Sequence, residues 1–113
     1  MPTINLPALD SLPALPQVEG LRRVASTLWE QDDVVALWLG GSFARGEADA
    51  YSDMDLRVAV RPEALDQWRG SDLRLIFGES LVGDTPLRLG KDILHQAALS
   101  NGDIYHLPIQ SLE

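Results

Sequence analysis

From Val18 onward, Leu21, Val24, Ala25, Leu28 and Trp29 recur at helical spacing, with Arg22, Arg23, Ser26 and Glu30 between them. That period predicts a helix with one buried stripe, ended by Gln31-Asp32-Asp33. Val34 to Leu39 then runs apolar without alternation, which predicts a strand buried on both faces and central in a sheet. Gly40 to Ser52 reads as a loop of small and polar residues holding one short helical turn. From Asp53 to Val60 the pattern alternates. Met54, Leu56, Val58 and Val60 fall on one face and Asp53, Asp55 and Arg57 on the other, as in a half-buried strand with two carboxylates on its open side. Pro62 suits the first turn of a helix that carries Leu65 and Trp68 inward and stops near Gly70. Leu73 to Phe77 and the Gly/Pro-punctuated stretch to Gly90 fit no single state. Ile93 to Leu99 and Ile104 to Ile109 flank Ser100-Asn101-Gly102-Asp103, and an Asn-Gly pair between apolar runs predicts a hairpin. Pro108 cannot donate to a ladder and predicts an edge strand or a bulge. Ahead of the first helix, Pro2, Pro7, Pro13 and Pro16 alternate with Ile4, Leu6, Leu9, Leu12 and Leu15. Proline at that density opposes helix and strand pairing alike. The expected organisation is a Pro-rich arm over 1–17 and one domain over 18–111.

Composition narrows the chemistry. The chain has 113 residues, enough to bury a core without a disulfide or zinc staple. It has no cysteine, which excludes a disulfide framework, a Cys-based zinc site and a thiol nucleophile. No apolar run approaches the roughly 18 residues of a membrane span, and the N-terminus lacks a basic signal-type region, so a soluble cytoplasmic protein is expected. Seventeen acidic residues against nine basic ones give a formal charge of −8, which argues against a dedicated duplex-binding protein. An acidic protein still binds a phosphorylated small molecule when a divalent cation lies between them.

The chemistry-bearing stretch is Gly40-Gly41-Ser42-Phe43-Ala44-Arg45-Gly46, followed by Ser52-Asp53-Met54-Asp55-Leu56. Two Asp residues at i and i+2 on a strand project from one face, about 6–7 Å apart at Cα, close enough to share a divalent ion. Left alone, two like charges so placed repel and raise each other's pKa. A cation removes the repulsion, and oxygen-only ligands suit Mg²⁺ or Mn²⁺, whose shell is completed by water and phosphate. Gly-Gly-Ser directly after a buried strand permits a tight turn and close backbone approach, so that N–H groups and the Ser42 hydroxyl can hold phosphate oxygens. Arg45 is placed to reach a phosphate or a nearby carboxylate.

In this order, Gly40 to Leu56 resembles the signature of the DNA polymerase β-like nucleotidyltransferase superfamily, and within it the small prokaryotic minimal and aminoglycoside-type nucleotidyltransferase domains. The resemblance implies an α+β fold, a mixed β-sheet with helices packed on one face. It implies Mg²⁺-dependent transfer of a nucleoside monophosphate from an NTP, expected to be ATP, to an acceptor hydroxyl with release of pyrophosphate. Asp53 and Asp55 would then ligate metal. Gly40, Gly41, Ser42 and Arg45 would meet the nucleotide, and Ser52 would shape the loop through its backbone.

The family pattern also asks for a third carboxylate on a later strand. Relatives carry an Asp four residues after the hairpin Gly, a position held here by His106. Parity agrees: Tyr105, Leu107 and Ile109 form the apolar face, which turns His106 and Gln110 toward the side of Asp53 and Asp55. Asp103 is the second candidate, on the other parity but next to the turn. His95, on a mostly apolar strand, is expected to have no role. A neutral imidazole is a poor Mg²⁺ ligand, so the alternative is a catalytically weak or inactive nucleotide-binding module, such as an antitoxin-like pseudoenzyme. Members of the superfamily bind the acceptor with a helical domain or partner chain. The expected arrangements are a minimal enzyme with a helical partner, the N-terminal piece of a longer enzyme with Leu112-Glu113 as a cloning scar, or a module that only binds; the truncated piece is favoured.

Overall fold

The computed structural model describes residues 14–69, 73–90 and 92–111. Residues 1–13 of the expected arm, the stop near Gly70 and Leu112-Glu113 lie outside them. The elements run α1 (Val18–Trp29), β1 (Val34–Leu39), α2 (Gly41–Arg45), β2 (Met54–Val60), a 3₁₀ turn (Pro62–Ala64), α3 (Leu65–Arg69), α4 (Arg74–Phe77), a second 3₁₀ turn (Gly78–Ser80), β3 (Leu81–Leu89), β4 (Asp92–Leu99) and β5 (Ile104–Ser111). The five strands form one sheet in the order β1-β2-β5-β4-β3. Only β2 and β5 are parallel; the other neighbours are antiparallel. The fold is therefore the mixed α+β arrangement expected.

Periodicity places the core. Leu21, Val24, Ala25 and Leu28 of α1 are buried, as are Met54, Leu56, Val58 and Val60 of β2 and Tyr105, Leu107 and Ile109 of β5. Each leucine so removed from water contributes about 1.5–3 kcal/mol of transfer free energy. The α1 helix packs on β1 and α4, and α3 packs on β4 and β5, which gathers helices over the apolar face and leaves the Asp55 and His106 face open. Among the described residues no helix is long and apolar enough to cross a membrane.

Two expectations are corrected. β1 is an edge strand, not a central one: Val35 and Trp38 are each 37% exposed, and the pairing with β2 shifts register between Val34 and Ala36. Its lack of alternation comes from apolar residues on a half-solvated face. Conversely, β5 is central although it contains Pro108. Pro108 pairs with Leu94 on the β4 side, while bridge partners toward β2 pass from Asp55↔His106 to Val58↔Ile109, so its missing N–H falls in a gap of the parallel ladder. The unassigned stretch before Gly90 becomes α4 and the edge strand β3.

Candidate active site

Where β1 ends, the chain turns across the start of β2. The Gly40 amide donates to the Asp55 carbonyl at 2.8 Å, which seats the loop directly on that acid. A Cβ on Gly40 would lie 2.6 Å from Arg57 Nε and 3.0 Å from Asp55 Oδ2. Gly41 has φ +60°, and a Cβ there would stand 3.2 Å from the Asp55 Cβ. Both glycines are thus needed, the first for space and the second for a left-handed backbone in a crowded place. Phe43, 3% exposed, anchors the short α2 that follows, and Ser42 is half-buried beside it.

The descending loop is held by its own polar groups. Ser52 Oγ accepts from the Asp49 amide at 2.9 Å and donates to Asp49 Oδ1 at 3.2 Å. Gln17, 2% exposed, donates from Nε2 to the carbonyls of Asp49 at 2.9 Å and Ser52 at 3.2 Å. Ser52 is placed to shape this loop, with the clamp supplied from in front of α1. Gln17 carried no sequence signal, since its partners lie over 30 positions away.

Asp53 precedes β2 and Asp55 lies on it. The Asp55 side chain is 23% exposed, and its Oδ1 is buried with no hydrogen-bond partner; Arg57 Nε stands 3.5 Å away. Asp53 is more open, with Oδ2 3.2 Å from His106 Nε2. His106 is the register partner of Asp55 across the parallel pair. The structure therefore brings together Gly40, Gly41, Asp53, Asp55 and His106. It also adds Arg57, whose place on the carboxylate face was visible in the alternation but whose reach to Asp55 was not.

Two candidates lie elsewhere. Asp103 sits in the hairpin turn, its backbone N–H held by Asn101 Oδ1 at 2.9 Å and its Oδ2 accepting from Asn101 Nδ2 at 3.1 Å. It shares the parity of Tyr105 and lines a groove on the helix side with Arg23 and Tyr105, so proximity to the turn did not carry it to the Asp53 side. Arg45 is exposed and pairs with Glu47 at 2.7 Å, satisfying the nearby-carboxylate half of its expectation. His95 is 1% exposed on the core side, bonded to Asp84 and Trp68, as suits a structural residue.

Among the described residues no group of three or more His, Cys, Asp or Glu side chains already converges as a metal cage. The donors present still fit a divalent cation. Asp55 Oδ1 is a buried carboxylate oxygen with no hydrogen bond, offset only by the half-exposed Arg57 guanidinium at 3.5 Å, which leaves it able to take a cation.

A family model for the nucleotidyltransferase domain matches residues 18–100. The chain belongs to the nucleotidyltransferase domain family. The matched stretch includes both glycines, Ser42 and the two aspartates, and stops before His106. Among solved structures, the Cid1 poly(U) polymerase with Mg and 3'-dATP bound is similar with a TM-score of 0.63 at 18% identity, over 80% of this chain and 29% of its own. The structure of the GLD-2/RNP-8 complex is similar with a TM-score of 0.52 at 17% identity, over 91% of this chain and 44% of its own. These likenesses establish the nucleotidyltransferase fold, and this domain spans less than half the length of either neighbour. No curated protein matches.

Proposed function

We propose that this domain transfers a nucleoside monophosphate from an NTP, ATP being the expected donor, to an acceptor hydroxyl, with Asp53 and Asp55 holding Mg²⁺ or Mn²⁺. The observation that carries the reading is the Asp55 carboxylate seated beneath the glycine turn, its Oδ2 3.0 Å from where a Gly40 Cβ would stand and its buried Oδ1 without a hydrogen bond, offset only by Arg57 Nε at 3.5 Å. In the reaction the acceptor oxygen bonds to the α-phosphorus as the bond to the departing pyrophosphate breaks, and the hydroxyl proton is released. The bound cation would supply triphosphate charge neutralisation and a lowered pKa of the attacking hydroxyl. The chain's own part is positioning: Gly41 and Ser42 hold the β- and γ-phosphates, Gly40 lets the backbone lie against Asp55, and Ser52 fixes the approach of Asp53. Arg57 balances charge beside Asp55, and Arg45 reaches phosphate only if it leaves Glu47.

The acceptor would be held by a helical domain or partner chain, consistent with the small share of each neighbour that this domain spans. Use of an NTP agrees with a cytoplasmic setting. A second reading, nucleotide binding without turnover, is favoured by one observation: an imidazole rather than a third carboxylate faces Asp53.

Binding decides the site and product release decides between the readings. Asp53→Ala combined with Asp55→Ala should weaken Mg²⁺-dependent ATP binding, measured by calorimetry, by more than about tenfold; unchanged affinity rejects the site. Pyrophosphate release over a panel of acceptors, with and without candidate helical partners, supports transfer. Intact binding with no release under any condition supports the binding module.

A further inference from the structure

We infer that His106 is itself a metal ligand and that it turns the site's preference from Mg²⁺ toward a first-row transition ion. The inference rests on the reading of Asp53 and Asp55 as cation ligands given above. It starts from spacing. Two neighbouring ligands at about 2.1 Å from an octahedral ion lie about 3.0 Å apart. His106 Nε2 and Asp53 Oδ2 are 3.2 Å apart, so an ion replacing that hydrogen bond needs only a small adjustment of either side chain.

The fold supports the same assignment. β5 runs parallel to β2 with His106 beside Asp55, so imidazole and both carboxylates belong to one patch of the open sheet face. Among the described residues the His106 ring has Asp53 as its side-chain hydrogen-bond partner, and at 31% exposure it is accessible to an entering ion.

Charge and ligand type then set the preference. Replacing the third carboxylate by a neutral imidazole removes one negative charge, which weakens any ion bound by electrostatics alone. Mg²⁺ depends on such hard oxygen ligands and gains little from nitrogen. First-row transition ions gain bonding energy from imidazole, and two carboxylates, one imidazole and phosphate oxygens form a mixed nitrogen and oxygen set they accept. The other histidine cannot imitate this, because His95 is buried on the opposite side of the sheet between Asp84 and the Trp68 carbonyl.

The test uses the full chain loaded with Mn²⁺ and inorganic triphosphate, which contains no nitrogen. Pulsed electron paramagnetic resonance should show ¹⁴N coupling of imidazole strength in the unaltered protein and lose it in His106→Ala and His106→Asp. By titration, His106→Ala should lower Mn²⁺ affinity by at least the roughly 10–100-fold that removing an outer partner of a metal ligand costs. His106→Asp should tighten Mg²⁺ and reduce the Mn²⁺ over Mg²⁺ preference by about tenfold or more. Mn²⁺ bound without imidazole coupling, or a preference unchanged in His106→Asp, overturns the inference while leaving the aspartate site standing. Mn²⁺ binding that survives Asp53→Asn with Asp55→Asn overturns the site reading beneath it, and the inference with it.

Discussion

At Gly41 the backbone is left-handed and the space for a side chain is occupied by Asp55. Gly41→Ala should therefore lose about 1–2 kcal/mol of stability from the backbone alone, read as a lower urea midpoint, and should lose NTP binding as the turn lifts from the acid. Retained affinity with full stability would mean that the turn does not cradle phosphate. This region was legible because its constraints are local: a turn without room for Cβ demands glycine, and alternation puts Asp53 and Asp55 together. His106 was legible by the same period of two, carried from Tyr105, Leu107 and Ile109. Asp103 was a candidate only because residues beside a turn escape parity, and here it kept that of Tyr105. Gln17 acts through carbonyls brought to it by tertiary packing, to which a single sequence gives no access, whereas Arg57 stands two positions from Asp55 on the same strand face and only its pairing with that acid was hidden.

At the scale of elements, α1 and the β4–β5 hairpin were readable because a helical stripe and an Asn-Gly turn are strong local signals. The place of β1 was not, since six apolar residues in a row suit both a buried strand and an edge strand with Val35 and Trp38 on its outer face. β3 was obscured for a similar reason. Much of it is exposed, and its apolar and polar residues follow no clear period. What fastens this edge is a polar contact that the apolar pattern hides. His95 Nε2 donates to the Trp68 carbonyl at 2.8 Å, and Nδ1 stands 3.0 Å from Asp84 Oδ2, so one ring ties α3 to both strands of the β3–β4 pair. His95→Ala would leave a carbonyl and a carboxylate without their partner. It should cost about 2–3 kcal/mol, the penalty for leaving two largely buried polar groups unsatisfied. Denaturant unfolding of the variant checks this, and a loss under about 1 kcal/mol would show that water replaces the ring adequately.

Across the whole molecule, helices and sheet meet at Tyr105. Its side chain is fully buried, its ring lies 4.9 Å from that of Phe77, and its hydroxyl faces Gly20 of α1. Burial first, and the Asp103 carboxylate second, raise its pKa well above the ordinary phenol value, against a smaller opposing effect of Arg23. The unfolded chain releases this proton near pH 10 while the folded protein keeps it. Stability is thus unaffected by Tyr105 below about pH 10 and falls above it, by up to about 1.4 kcal/mol per pH unit, until the raised folded value is reached. Urea midpoints at pH 9 and pH 11 should show the fall, and Tyr105→Phe should remove that part of it. The position of β5 has a kinetic consequence as well. It is the last described strand to be synthesised, yet it is the seam between the β1–β2 and β3–β4 pairs, and Asp53 waits for a residue 53 positions later. Until β5 leaves the ribosome, two hairpins each present a bare inner edge to other chains, which makes slow translation or crowded expression the condition under which this fold aggregates.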